Sequence, residues 1–253
     1  MPAALYPTLV DRTVLISGGA TGIGAALVEH FVKQKARVAF VDIQAEAGHA
    51  LARRLSDVGP APLFVEADLT QLERIPALVR EIADKLGPVH ALINNAAHDE
   101  RHALEEVTPA FWRDRLAVNL DHQFFMAQAV APGMTNSGGG VILNMGSCSW
   151  RLGLAGMSAY VTAKAAVEGL TRGLARELGP RGIRVNCIIP GFIKTDRQVT
   201  KWLTPELERT VLNGQCLKEL IEPNEVAQMA AFLASDDARM CTNQTYAIDG
   251  GWM

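Results

Sequence analysis

The chain has 253 residues, 49% of them hydrophobic and 20% charged, with 24 Lys and Arg against 27 Asp and Glu. That composition excludes a disordered or fibrous protein, and a net charge of −3 gives no bulk electrostatic reason to bind nucleic acid or an anionic membrane. No apolar run reaches the ~18 residues of a membrane span, and the stretch from Met1 to Asp11 lacks the basic start and apolar run of a secretory signal.

Short β-branched runs alternate with longer amphipathic segments. Strands are predicted at 14–17, 37–42, 63–65, 91–94, 141–145, 184–189 and 245–248, and helices at 22–35, 45–56, 72–86, 111–134, 158–178 and 225–234. This alternation implies right-handed crossovers and one parallel, doubly wound Rossmann-type α/β sheet of about seven strands with helices on both faces. No linker, repeat or composition shift divides the chain, so residues 1–253 are read as a single domain. Residues 192–224 interrupt the alternation. Long insertions of this kind serve as substrate lids or as extra surface helices, and both readings stand. The four cysteines form no CxxC pair and the six histidines no HExxH, so neither a metal site nor a disulfide framework is expected. Reduced thiols in turn point to the cytoplasm.

The segment Ser17-Gly18-Gly19-Ala20-Thr21-Gly22-Ile23-Gly24 follows the first strand and opens the first helix. Glycines there let the backbone turn sharply and approach a pyrophosphate, while the helix start offers free N–H groups to the phosphates. Asp42 closes the second strand, 20 residues after Gly22, where an acid accepts hydrogen bonds from a ribose diol. A carboxylate there repels a 2′-phosphate. Ile43 follows it and the turn holds no Arg or Lys, so NAD is favoured over NADP.

Tyr160 and Lys164 lie four apart on a predicted helix and share a face. A phenol titrates near ~10, and a neighbouring cation favours its ionised form, which could take a proton from an alcohol while hydride leaves for a nicotinamide. Ser147 ends the fifth strand and Asn94 and Asn95 the fourth, at the same carboxyl rim; Asn119 lies mid-helix between Val118 and Leu120.

With these residues the chain resembles the short-chain dehydrogenase/reductase family over essentially its whole length. Ser17, Gly18, Gly22 and Gly24 match the family's Thr-Gly-x-x-x-Gly-x-Gly, with Ser in place of Thr. Asp68-Leu69 matches the adenine contact, and Asn94-Asn95-Ala96-Ala97 matches Asn-Asn-Ala-Gly with an extra methyl at Ala97. Pro190, Gly191, Ile193 and Thr195 match the carboxamide segment, and Asn119, Ser147, Tyr160 and Lys164 the catalytic tetrad. The resemblance implies that Tyr160 is the general acid/base and that Lys164 lowers its pKa and holds the ribose. It also implies that Ser147 orients the reacting oxygen and that Asn119 keeps a relay water. Thr21, Ile23 and Ala96 complete the implied cofactor contacts.

For the substrate, the polar run His98-Asp99-Glu100-Arg101-His102 suits a hydroxyl-rich ligand. Asp99, Ser149, Trp150, Arg151, Phe192, Gln198 and Trp202 join Ser147 and Tyr160 as candidate contacts. Residues 99–102, 149–150, 194–198, 215–218, 235–238 and 248–252 resemble bacterial NAD-dependent aldose 1-dehydrogenases of the D-xylose type. That implies oxidation of a cyclic aldose at its anomeric hydroxyl to a lactone. Arg151 keeps open a 2-keto-3-deoxy sugar acid, whose carboxylate it could clamp. A noncatalytic cofactor-sensing protein is the remote alternative. Thr162, Ala166, Gly169 and Gly173 form a stripe of small residues on the Tyr160 helix, open to packing on the sheet or to a helix-pair interface. The family resemblance implies a homotetramer, in which Trp252 and Met253 could reach a neighbour's active-site mouth.

Overall fold

The computed structural model describes residues 4–253. Seven parallel strands form one sheet in the order β3-β2-β1-β4-β5-β6-β7. They are β1 (Thr13–Ser17), β2 (Arg37–Asp42), β3 (Leu63–Glu66), β4 (Val89–Asn94), β5 (Gly140–Met145), β6 (Ile183–Pro190) and β7 (Thr245–Ile248). The helices are α1 (Gly22–Lys33), α2 (Ala45–Leu55), α3 (Ile75–Leu86), α4 (Pro109–Leu116), α5 (His122–Asn136), α6 (Ser158–Leu178), α7 (Asp196–Lys201), α8 (Pro205–Gly214) and α9 (Pro223–Ala234).

The strands are apolar on both faces because both are covered. Side chains alternate along a strand, so Val14 and Ile16 join Leu27, Phe31 and Val226 in the core under α1 and α9, whereas Leu15 joins Leu92, Met126, Ile142 and Leu174 under α3, α5 and α6. The order reverses between β1 and β4, whose ends Ser17 and Asn94 are in register, and Asn94 is in register with Asn144 of β5. A crevice outside the carboxyl ends at such a reversal is where open α/β sheets take their ligands.

The helix expected at 111–134 is instead three pieces. Pro109 starts α4 two residues early, behind Thr108, whose hydroxyl accepts the Phe111 N–H at 3.1 Å. A wide π-turn, Ala117–Asp121, then separates α4 from α5. Its cause is Asn119: the side-chain amide donates to the Arg115 carbonyl at 2.8 Å and competes with the helical ladder. The 192–224 segment contains the short helices α7 and α8 and one parallel bridge, Ile193 to Ile221. Among the described residues no helix is long and apolar enough to cross a membrane.

Candidate active site

The glycine turn is shaped by close approaches. Gly18 takes a φ of +64°, and a Cβ there would lie 2.7 Å from the Ala96 Cα; a Cβ on Gly24 would lie 1.8 Å from the Gly18 carbonyl oxygen. The Ser17 hydroxyl accepts the N–H groups of Asn95 and Ala96 at 2.9 and 3.0 Å, and the Asn95 amide donates to the Ser17 and Gly18 carbonyls. These bonds fix the turn between the ends of β1 and β4. Asp42 is buried, and its carboxylate accepts the Ala20 and Gln44 N–H groups at 2.9 and 3.0 Å. The Gln44 side-chain amide also donates to it at 3.4 Å, which leaves about one lone-pair position for a ribose hydroxyl. Asp68 is exposed, and the Thr70 hydroxyl and N–H hold its carboxyl below its usual range, ahead of buried Leu69. Thr195 caps α7 by accepting the Gln198 N–H, and its methyl lies 3.3 Å from a Cβ placed on Gly22. Ile23, Thr21, Pro190, Gly191 and Ile193 fall on the same rim. The cradle therefore fits a dinucleotide, with backbone N–H groups and a helix start at its centre.

The predicted tetrad gathers beside it. Lys164 is buried on α6, and its ammonium donates to the Met145 carbonyl at the end of β5, at 2.8 Å. Burial lowers its pKa to about 8. The Ser147 hydroxyl donates to that of buried Ser149 at 3.0 Å, so Ser149 orients Ser147. Burial, with the charge of Asp99, raises the Tyr160 phenol above its ordinary value against a lowering contribution from the Ser147 hydroxyl. In the free chain desolvation thus outweighs the lowering expected from Lys164, whose Nζ lies 5.5 Å from the phenol ring centroid. The Asn119 side chain, fully buried, accepts the His98 N–H at 2.8 Å and donates to the His98 carbonyl at 3.1 Å.

The expected substrate residues divide. Asp99 accepts from Arg197 and Gln198 of α7, and Arg101 stacks over Trp202 at 4.2 Å, so loop and insertion meet over the rim. Phe192 is half-buried at the base of the insertion. Arg151 and Trp150 turn instead to Glu168 of α6: the guanidinium pairs with its carboxylate at 2.6 Å and the indole donates at 2.7 Å. Thr162, Ala166, Gly169 and Gly173 face solvent in the single chain rather than the sheet. Trp252 packs on its own chain, against Gly214 at the end of α8. Sequence reasoning missed Glu168, Arg197 and the buried amide chain from Asn94 through Asn144 (2.9 Å) to Thr171 (3.0 Å). The signal for the last was a polar residue inside the apolar run of β5.

A family model described as Enoyl-(Acyl carrier protein) reductase matches residues 18–253. The chain belongs to the short-chain dehydrogenase/reductase family. It is an oxidoreductase acting on a CH–OH group and uses a nicotinamide cofactor. It is 50% identical over 252 residues to a D-xylose 1-dehydrogenase of Caulobacter vibrioides, covering 100% of both chains. A probable galactose dehydrogenase of Rhizobium meliloti is 49% identical, with 99% of this chain and 98% of that one covered. The fold matches a 7 alpha-hydroxysteroid dehydrogenase complexed with NADH and 7-oxo glycochenodeoxycholic acid at a TM-score of 0.92, with 32% identity over 97% of this chain and 96% of that one.

His122, next to the π-turn, is also buried, and burial plus the Lys164 charge depress its pKa to about 3. Below about 6.5 the unfolded chain takes up a proton that the folded chain refuses, so stability falls as pH drops through that window. His122→Gln should reduce the stability lost between pH 7 and pH 5 by about 2 kcal/mol. Urea unfolding at both pH values checks this, and an unchanged loss would refute it.

Proposed function

We propose that this chain oxidises a free aldose at its anomeric hydroxyl to the lactone, with NAD as hydride acceptor and Tyr160 as general base. Full-length likeness to two sugar dehydrogenases supports the substrate class, and the polar mouth at 98–102 supports it independently. The observation that favours a neutral sugar over a sugar acid is the Arg151–Glu168 pair. The guanidinium that a substrate carboxylate would need already holds a carboxylate.

Bound oxidised nicotinamide supplies the hydride acceptor and a positive charge beside the phenol. Ser147, oriented by Ser149, hydrogen-bonds the anomeric oxygen. Tyr160 takes its proton. Lys164 spends one of three donors on Met145 and has two for the phenolate and the ribose. Asn119 holds the π-turn open for a relay water. Residues 192–224 close over the sugar as a lid on one 253-residue domain, with Phe192, Gln198 and Trp202 on its inner side. Asp42 supports NAD over NADP by occupying the place of a 2′-phosphate. Four unpaired cysteines support a reducing, cytoplasmic setting. The solvent-facing stripe on α6 beside exposed Phe124 supports a homotetramer.

With NAD and a panel of pentoses, hexoses and 2-keto-3-deoxy sugar acids, NADH should form on neutral aldoses and faster as pH rises, because the raised phenol must lose its proton. Tyr160→Phe should lose turnover by at least about a thousandfold while still binding NADH. Activity on the acids alone would sink the aldose reading, and an indifferent Tyr160→Phe the catalytic one.

The double variant Asp42→Ala, Ile43→Arg should raise the NADP/NAD ratio of kcat/KM about a hundredfold, the scale of one charge-assisted bond lost and one gained. An unchanged ratio would remove Asp42 as the discriminator. Sedimentation equilibrium should give four times the 27.3 kDa chain mass, and a monomer would refute the assembly.

A further inference from the structure

Asp99 is held at both ends of its residue. Its preceding peptide is clamped by catalytic Asn119 through two hydrogen bonds. Its carboxylate reaches the insertion, where Oδ1 accepts from Arg197 at 2.9 Å and Oδ2 from the Gln198 amide at 2.7 Å. Gln198 in turn sits one turn into a helix capped by Thr195. Asp99 therefore stands between the tetrad and the nicotinamide end of the cradle.

A carboxylate there works against the chemistry, since negative charge beside a phenol opposes its ionisation. Asp99 is among the groups raising the Tyr160 phenol. Ser147 acts the other way and lowers it, and the thiol of Cys148, which also raises it, is pushed up to about 12 by burial and stays neutral at working pH. Nearby charges are otherwise accounted for. Glu100 pairs with Arg115 of α4 at 2.9 Å, and Arg115 also meets Asp114. Burial, then Arg197 and Arg115, hold His98 below its ordinary value, so it adds no cation. Arg101 lies over Trp202. Lys164 is the remaining cation beside the phenol and also feels the Asp99 charge, while Arg197 pairs with Asp99 and reaches His98 Nε2 at 3.4 Å. Two guanidinium N–H groups and one amide occupy three of about four lone-pair positions, which leaves one acceptor on Oδ2.

We propose that Asp99 accepts a hydrogen bond from the substrate hydroxyl next to the reacting carbon, and that Arg197 is the positioning residue that aims this carboxylate and neutralises its field at Tyr160. The hydroxyl-reading half rests on the aldose reading above; the field half does not. A sugar with a neighbouring hydroxyl gains the Asp99 contact, and one without it leaves the carboxylate unsatisfied.

The field predicts opposite signs for the two variants, and the hydroxyl contact is read separately in KM. Asp99→Asn removes the charge, so the pH midpoint of kcat should move down by about half a pH unit. Its KM should rise about tenfold on an aldose, but by less on the matching 2-deoxyaldose. Arg197→Gln exposes the charge, so the midpoint should move up, with Arg197→Lys restoring part of the shift. The double variant should sit where Asp99→Asn does. Ultraviolet titration of tyrosine ionisation, with Tyr160→Phe subtracted, should show the same directions without any turnover. Midpoints that move together, or not at all, would overturn the field. Equal KM changes on both sugars would overturn the hydroxyl contact. If the wild-type chain oxidises no aldose, the aldose reading and the contact fail together, and the titration still decides the field.

Discussion

The pair of hydrogen bonds between the Asn119 side chain and the His98 peptide organises the whole site. One amide side chain bonds the N–H and the carbonyl of the same residue on a different element, and spends its remaining N–H on Arg115. The helix must widen to allow this, so α4 and α5 are separate rods. The Gln123 amide reaches back to the Asn119 carbonyl at 3.2 Å and steadies the widened turn. The loop after β4 is pinned at its root while its charged residues stay free to meet the insertion. Without Asn119, a continuous helix would stand over the rim and His98 to His102 would have no fixed position.

The same region concentrates polar groups where the sheet is driest. Lys164, Asn94, Asn119, His122, Gln123 and Asn144 are all buried. Neither ring nitrogen of His122 has a hydrogen-bond partner among the described residues, and burial disfavours the charged forms, which lowers Lys164 and His122 and raises Tyr160. Tyr160 and Lys164 therefore titrate away from their ordinary values, the phenol upward and the ammonium down to about 8. Charge arriving with a cofactor acts on them strongly, because little solvent screens the interaction. Reactivity is stored as desolvation rather than as strain.

How much of this the sequence carried depends on the range of the cause. The bounds of α6 and β7 follow from periodicity, and the glycine turn and Asp42 from spacing alone, because strand, turn and helix are contiguous there. The break in the 111–134 helix was not legible. The apolar spacing from Val118 to Met126 continues a helix, and although the Asn119 amide bonds Arg115 one turn back, its other two bonds run to His98, 21 positions away. Thr108-Pro109 did carry a start signal that periodicity overrode. Arg151 was read toward the substrate because it follows Ser147, but its partner Glu168 lies 17 residues on, one turn past Lys164. Arg197, beside the expected Gln198, carried no local mark at all.

The two arginines divide between the catalytic frame and the mouth. Arg151 and Trp150 are tied to α6, the helix that carries Tyr160 and Lys164, so they brace the catalytic frame. Arg197 and Trp202 sit on the insertion and engage the loop after β4. Each guanidinium is committed to a carboxylate: Arg151 within the frame, Arg197 across the mouth. Loss of the first pair would loosen the tetrad's own helix. Loss of the second would leave that helix in place but strip the Asp99 carboxylate of its cation. The mouth therefore bears on the tetrad as well, since the Asp99 charge is among the groups that raise the Tyr160 phenol. Relatives of the chain are named for sugars and for steroids alike, and a shared fold does not choose between such substrates, so the choice must lie in the side chains around the site.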